Sequence, residues 1–230
     1  MQQSYRALRI IAEAQTIRIV LAPEPDELML NELCMLCDSL QTESSSGIKA
    51  VVLDFNPTAA QLITHDSQAT IEHNSAIVRS VCAATRAIKQ PVLAVVRATL
   101  SQPACLLIQS ADFTLVAENA TLVISNGGGG EEDILTGAQA LRLGYITWSA
   151  SLNDINKQME RVLDLLRTKS AIALLHTKAS VRLAHANHTT GLETLGQVNG
   201  LYLTQLMQTH DAHEGLQAFL EKRKPNWKNI

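Results

Sequence analysis

A chain of 230 residues, 46% hydrophobic and 18% charged, can bury a core and is too apolar to stay disordered. A net charge of −3, with no basic stripe interleaved with aromatics, argues against nucleic-acid binding. No apolar run reaches the roughly 18 residues of a membrane span, and MQQSYRALRI lacks the apolar centre of a signal peptide. The four cysteines are too few for a disulfide scaffold, so a reduced, cytoplasmic protein is expected.

Aromatic residues make up only 3% of the chain, so the core must come from Ala, Leu, Ile and Val. In chain order, IRIVLA (17–22) reads as a strand, broken by Pro23 and Pro25, and Asp26 can cap a helix to about Gln41. IKAVVLDF (48–55) is a continuous apolar strand of the kind buried on both faces. The following NPTAAQLITHDSQATIEHNS is polar and suggests no element. A helix over 75–89 precedes Pro91 and the strand VLAVVRA (92–98). Pro103 interrupts TLSQPACLLIQSAD, leaving a helix over 104–109. Two short strands follow at 113–118 and 121–125. Helices then dominate, at about 137–143, 152–167, 170–187, 191–209 and 212–222. Strands alternating with helices predict βαβ units in a parallel α/β sheet, with an α/β core over 1–150 and a helical region over 151–230.

Cys34 and Cys37 match C-x-x-C, but they sit in a helical pattern and no second Cys or His pair completes a zinc site, so core packing is expected. VISNGGGGEEDIL (123–135) is not a phosphate loop: no Lys or Ser/Thr follows Gly130, and three acids follow instead. Its composition is that of a flexible bridge.

Three stretches carry a resemblance: HDAHEGLQAFLEKRKPNWK (210–228), AIKQPVLAVVRATLSQPACLLIQSADFTLVAENATL (87–122) and LTGAQALRLGYI (135–146). Together they resemble the enoyl-CoA hydratase/isomerase, or crotonase, family over nearly the whole chain. The resemblance implies a spiral of ββα repeats and C-terminal helices that mediate trimerisation. It further implies a history of binding acyl-CoA thioesters, whose enolate the family stabilises with two backbone N–H groups.

The departures from the family pattern fall on the chemistry. The glycine that supplies one oxyanion N–H becomes Pro103, which has no N–H, and the acid/base Glu becomes Leu106. The other donor loop reads FNPTAAQL, where the N–H of Ala59 is the remaining candidate. Where the family carries a stretch on the order of 35 residues that includes its second catalytic Glu, this chain has only VISNGGGGEED, so the four glycines are expected to bridge a deletion. Glu131 or Glu132 is a weaker candidate for a replacement acid/base, because a carboxylate on a floppy loop is poorly positioned. His65 and His73 border the acyl site of relatives, where they could act as bases, and read more simply as solvated loop residues; the remaining histidines have no triad-like company. Arg97 stands where the family has Asn and should pair with a nearby acid. Lys224, Trp227 and Lys228 match tail positions that lie near the CoA adenine in relatives, and the same residues can serve as a trimer-docking tail.

The expected protein is therefore a crotonase-fold homotrimer or hexamer without hydratase activity, kept for acyl-thioester binding or as a partner subunit. The alternative is a lyase or isomerase acting on an acyl-CoA or carrier-protein thioester by decarboxylation, thioester cleavage or double-bond isomerisation. No cofactor is required; a CoA thioester is the expected ligand.

Overall fold

The computed structural model describes residues 5–42, 47–62, 76–125, 132–186 and 191–230. Six strands form one sheet: β1 (Arg9–Glu13), β2 (Thr16–Leu21), β3 (Ala50–Phe55), β4 (Val92–Val96), β5 (Phe113–Ala117) and β8 (Trp148–Ala150), adjacent in that order. Only β1 runs antiparallel, joined to β2 through Gln15 at φ 68°; from β2 onward every pairing is parallel. β3 and β4 are buried at every position, as continuous apolar runs require.

The crossovers carry α1 (Glu27–Thr42), α2 (Ala76–Ala87) and α3 (Gln102–Ile108), with α1 packed on α2 and α2 on α3. Asp26 starts α1 by accepting the Met29 N–H at 2.7 Å. Between β5 and β8 a separate antiparallel hairpin, β6 (Thr121–Ser125) with β7 (Glu132–Thr136), leads into α4 (Gly137–Arg142). A reciprocal cap between Thr136 and Gln139 fixes that entry, and α4 begins so close to β5 that a Cβ on Gly137 would overlap the Ala117 carbonyl. After β8 come α5 (Ile155–Arg167), α6 (Ala171–Ala186), α7 (Gly191–Gly200), a π-helical turn (Leu201–Leu206) and α8 (His210–Leu220).

The α/β class and parallel sheet agree with the sequence pattern, and four details differ. β1 escapes notice because it is an edge strand, mostly exposed and flanked by charge. Pro103 does not interrupt a helix but occupies the second position of α3, where the N–H it lacks has no intrahelical partner. EDILT is not part of a bridge: residues 132–136 pair with β6, while 126–131, with all four glycines, lie outside the described residues. The helix expected over 191–209 is broken near Gly200 into α7 and the π-helical turn, then a new cap at Thr209.

Candidate functional site

Parallel strands put their C-terminal ends on one edge of the sheet, where open α/β folds gather ligands. At that edge β3 runs into Asn56 and a short 3-10 helix (Pro57–Leu62), and β4 runs through Arg97 and Ser101 into α3. The structure thus brings Ala59 and Pro103 to the same edge.

The hydrogen-bonding groups here are largely committed. Ala59 is buried, and its N–H donates to the Asn56 carbonyl at 2.9 Å. Asn56 Oδ1 accepts from both the N–H and the hydroxyl of Thr58. Ser101, at the start of α3, gives both its N–H and its hydroxyl to the Pro23 carbonyl. Pro103 is buried and Leu106 half-buried against the core. A first helical turn normally offers free N–H groups, so the position at which proline is harmless to folding is also the one at which an N–H would be useful to a ligand.

Behind this edge lies a charge cluster. Asp54 is fully buried and accepts from Arg97 Nε at 2.6 Å and from Arg18 Nε at 2.9 Å. This is the ion pair expected of Arg97, and the third member, Arg18, was not anticipated. An acid inside AVVLDF was the available signal, since a carboxylate in a strand buried on both faces must find cations. With no exposed surface and two guanidinium partners, Asp54 has no path along which to pass a proton to a ligand.

The tail candidates sit elsewhere. Trp227 is half-buried, donates its indole N–H to the Thr168 carbonyl at 2.7 Å and lies against Gly215. Lys224 and Lys228 are exposed. The backbone N–H groups of Lys228 and Asn229 donate to Asp211, a buried carboxylate that also accepts the Ser170 hydroxyl at 2.6 Å. Glu214 receives the Arg223 guanidinium and the Asn226 N–H, which hold its carboxyl down at about 2. The tail is therefore clipped to α8 and to the C-terminus of α5 by two acids and an indole.

Glu131, His65, His73 and His188 lie outside the described residues, and Glu132 is placed only as the first residue of β7. His213 Nδ1 lies 3.0 Å from the Thr209 carbonyl, and His210 Nδ1 lies 3.8 Å from Asp211. Cys37 is fully buried, with its thiol pushed up to about 12 by burial, and Cys34 is half-buried, so this pair packs rather than reacts. Among the described residues no group of three or more His, Cys, Asp and Glu could hold a metal, and no helix is long and apolar enough to cross a membrane.

The opposite edge, where β4 and β5 begin, holds a feature the sequence did not disclose. A cavity of about 1070 Å³ opens between α2, the end of α3, α5 and α6. Lys178 reaches it from α6, bonded to Asp112 at 2.5 Å and to the Gln90 carbonyl at 2.7 Å. Burial lowers the Lys178 pKa to about 8, opposed by the Asp112 charge. The signal was a lysine within the apolar run of α6, opposite an aspartate that opens a strand.

No family model matches the chain. Over 37 residues, 16% of the chain, the sequence is 60% identical to cyclohexa-1,5-dienecarbonyl-CoA hydratase of Thauera aromatica; that stretch spans 14% of the Thauera protein. Solved structures match over nearly the full length. An enoyl-CoA hydratase of Mycobacterium smegmatis superposes with TM-score 0.76 at 20% identity, covering 96% of this chain and 98% of that one. DspI of Pseudomonas aeruginosa gives 0.79 at 15% identity over 99% and 98% of the two chains. A putative enoyl-CoA hydratase of Streptomyces coelicolor gives 0.78 at 19% identity over 100% and 97%. From β1 to α8, then, the chain has the fold of the enoyl-CoA hydratase/isomerase structures, the crotonase fold.

Proposed function

We propose that this protein uses the crotonase fold to hold an acyl thioester, or to serve as a partner subunit, without adding water to an enoyl-CoA. The observation that carries this reading is Pro103 at the second position of α3: a donor is missing where the fold would offer one. Leu106 cannot move a proton, and the Ala59 N–H already donates to Asn56. Loss of one oxyanion donor typically costs about 10²–10³ in rate, and loss of a general acid/base about 10²–10⁴. Lys224, Trp227 and Lys228 remain the proposed contacts to the CoA adenine. The exposed apolar side chains of Leu195, Leu203, Phe219 and Leu220 favour a homotrimer or hexamer.

The test is crotonyl-CoA hydration beside crotonyl-CoA binding by calorimetry. Saturable binding without turnover is expected. Turnover within about 10²-fold of the ~10 s⁻¹ typical of enzymes overturns the reading. Light scattering checks the oligomer, and a stable monomer at micromolar concentration removes it.

A second reading is favoured by the 37-residue likeness to a CoA-thioester hydratase. In it the protein performs an easier step on an acyl-CoA or carrier-protein thioester: decarboxylation, thioester cleavage or double-bond isomerisation. Mass spectrometry of malonyl-, crotonyl- and alicyclic dienoyl-thioesters incubated with the protein separates the two readings by any new product.

A further inference from the structure

The cavity at the N-terminal ends of β4 and β5 is not the edge discussed above. α3 spans the distance between them: Pro103 lies at its start, and Gln109 and Ser110, just past its end, line the cavity. A helix of that length separates the two by on the order of 10 Å.

The cavity lining combines cations with apolar side chains. Arg86 of α2 and Lys178 and Arg182 of α6 supply three cations, and Asp112 is the one carboxylate among the lining residues. Asp112 is committed to Lys178 and also accepts the Val92 N–H at 2.7 Å. Neither Arg86 nor Arg182 has a carboxylate within ion-pair distance among the described residues. Arg182 is half-buried, and its pKa is lowered first by that burial and further by the nearby Arg86 charge, against the pull of Asp112. Two guanidinium forks therefore face one apolar-walled space with two positive charges unmatched. Phe113, Leu166, Leu174 and Val181 are the larger apolar side chains of that lining. A volume of about 1070 Å³ is ample for a drug-sized ligand, which typically occupies a pocket of about 300–1,000 Å³.

We propose that this cleft binds a phosphate monoester with an apolar body, its headgroup on Arg86 and Arg182 and its body against Phe113 and Leu174. A phosphate monoester brings close to two negative charges in one headgroup, and planar guanidinium forks match its oxygens pairwise. The bonds of Lys178 to Asp112 and to the Gln90 carbonyl fix α6 against the starts of β4 and β5, which holds Arg182 in place. The site stands apart from the proposed thioester site, and neither requires the other.

The probe is phenyl phosphate, titrated into the full chain by calorimetry beside inorganic phosphate and benzyl alcohol. One saturable site per chain is expected, tighter for phenyl phosphate than for inorganic phosphate, with no binding of neutral benzyl alcohol. Arg182→Gln and the double variant R86Q/R182Q should each weaken phenyl phosphate about tenfold or more, the scale of a hydrogen bond to a charged group. Arg182→Lys should recover part of that loss. Near-UV circular dichroism and melting curves confirm that the variants fold. The affinity for crotonyl-CoA should be unchanged in R86Q/R182Q, and phenyl phosphate should not displace it. The proposal is overturned by binding that stays unsaturated at about 10 mM, an affinity weaker than ~3 kcal/mol. Equal binding in the double variant, competition with crotonyl-CoA, or a changed oligomer mass in R86Q/R182Q, which would mark the cleft as a contact between copies, overturns it as well.

Discussion

The indole Nε1–H of Trp227 donates to the carbonyl of Thr168, 2.7 Å away, tying the tail to the residue that ends α5. The bond satisfies a helix-end carbonyl that would otherwise need water. Trp227→Phe should cost about 1 kcal/mol, the worth of one hydrogen bond. Trp227→Ala also loses the packing against Gly215 and should cost about 2 kcal/mol, given the half exposure of the ring. Urea midpoints measure both. If the ring also stacks on a CoA base, W227F keeps crotonyl-CoA affinity while W227A loses it.

Asp211 should be the dearest residue of the tail clip. It is 2% exposed and takes the Ser170 hydroxyl and the N–H groups of Lys228 and Asn229. Asp211→Ala strands these donors and should cost about 3 kcal/mol, read from chemical denaturation. Limited proteolysis of D211A should trim the C-terminus before any other site.

Lys178 gives the fold a pH dependence of definite sign. Its folded pKa, about 8, lies below the 10.5 of a free lysine because burial disfavours the charged amine. Between these values the unfolded chain binds more protons, so the contribution of this group to stability rises as pH climbs from about 8 to 10.5 and is flat below. Wild type compared with Lys178→Met over that interval isolates the effect. Asp112→Asn should shift the amine still lower, because the Asp112 charge is what pulls it upward.

Gly137 and Gly144 should respond differently to alanine. Gly137→Ala drives a methyl group into the Ala117 carbonyl and should cost about 3 kcal/mol, since backbone on both sides must move. Gly144 sits at φ 78° with open space around it, so Gly144→Ala carries only the left-handed penalty of about 1 kcal/mol. Differential scanning calorimetry of the two variants ranks them.

Much of the architecture was legible because the sequence repeats one physical statement, a buried apolar strand followed by an amphipathic helix. IRIVLA, IKAVVLDF and VLAVVRA each became a parallel strand within a residue or two of the expected limits. What escaped notice was decided by tertiary partners. RIIAE and EDILT have no strong pattern of their own and become strands because β2 and β6 offer backbone to pair with. Gly200 does not announce a break from its sequence alone. At the candidate site, Pro103 and Leu106 could be read directly, because having no N–H or no acid to offer is a property of the residue type. The Ala59 N–H and Trp227 indole could not, because only folding reveals what else has claimed them. The Lys178–Asp112 pair joins residues 66 apart by their numbering, a distance no local pattern spans.

The buried cluster of Asp54 with Arg18 and Arg97 makes these three positions unequal under mutation. Losing either arginine leaves Asp54 with one cation, whereas losing Asp54 leaves two guanidinium groups side by side with no counter-charge, one of them only 8% exposed. Breaking a buried pair in that sense typically costs about 3–5 kcal/mol. Sequence drift can therefore enter through one arginine, Arg18 being the more exposed, but not through Asp54, which can change only together with the last arginine. The order of substitutions at this end of the sheet has a permitted direction.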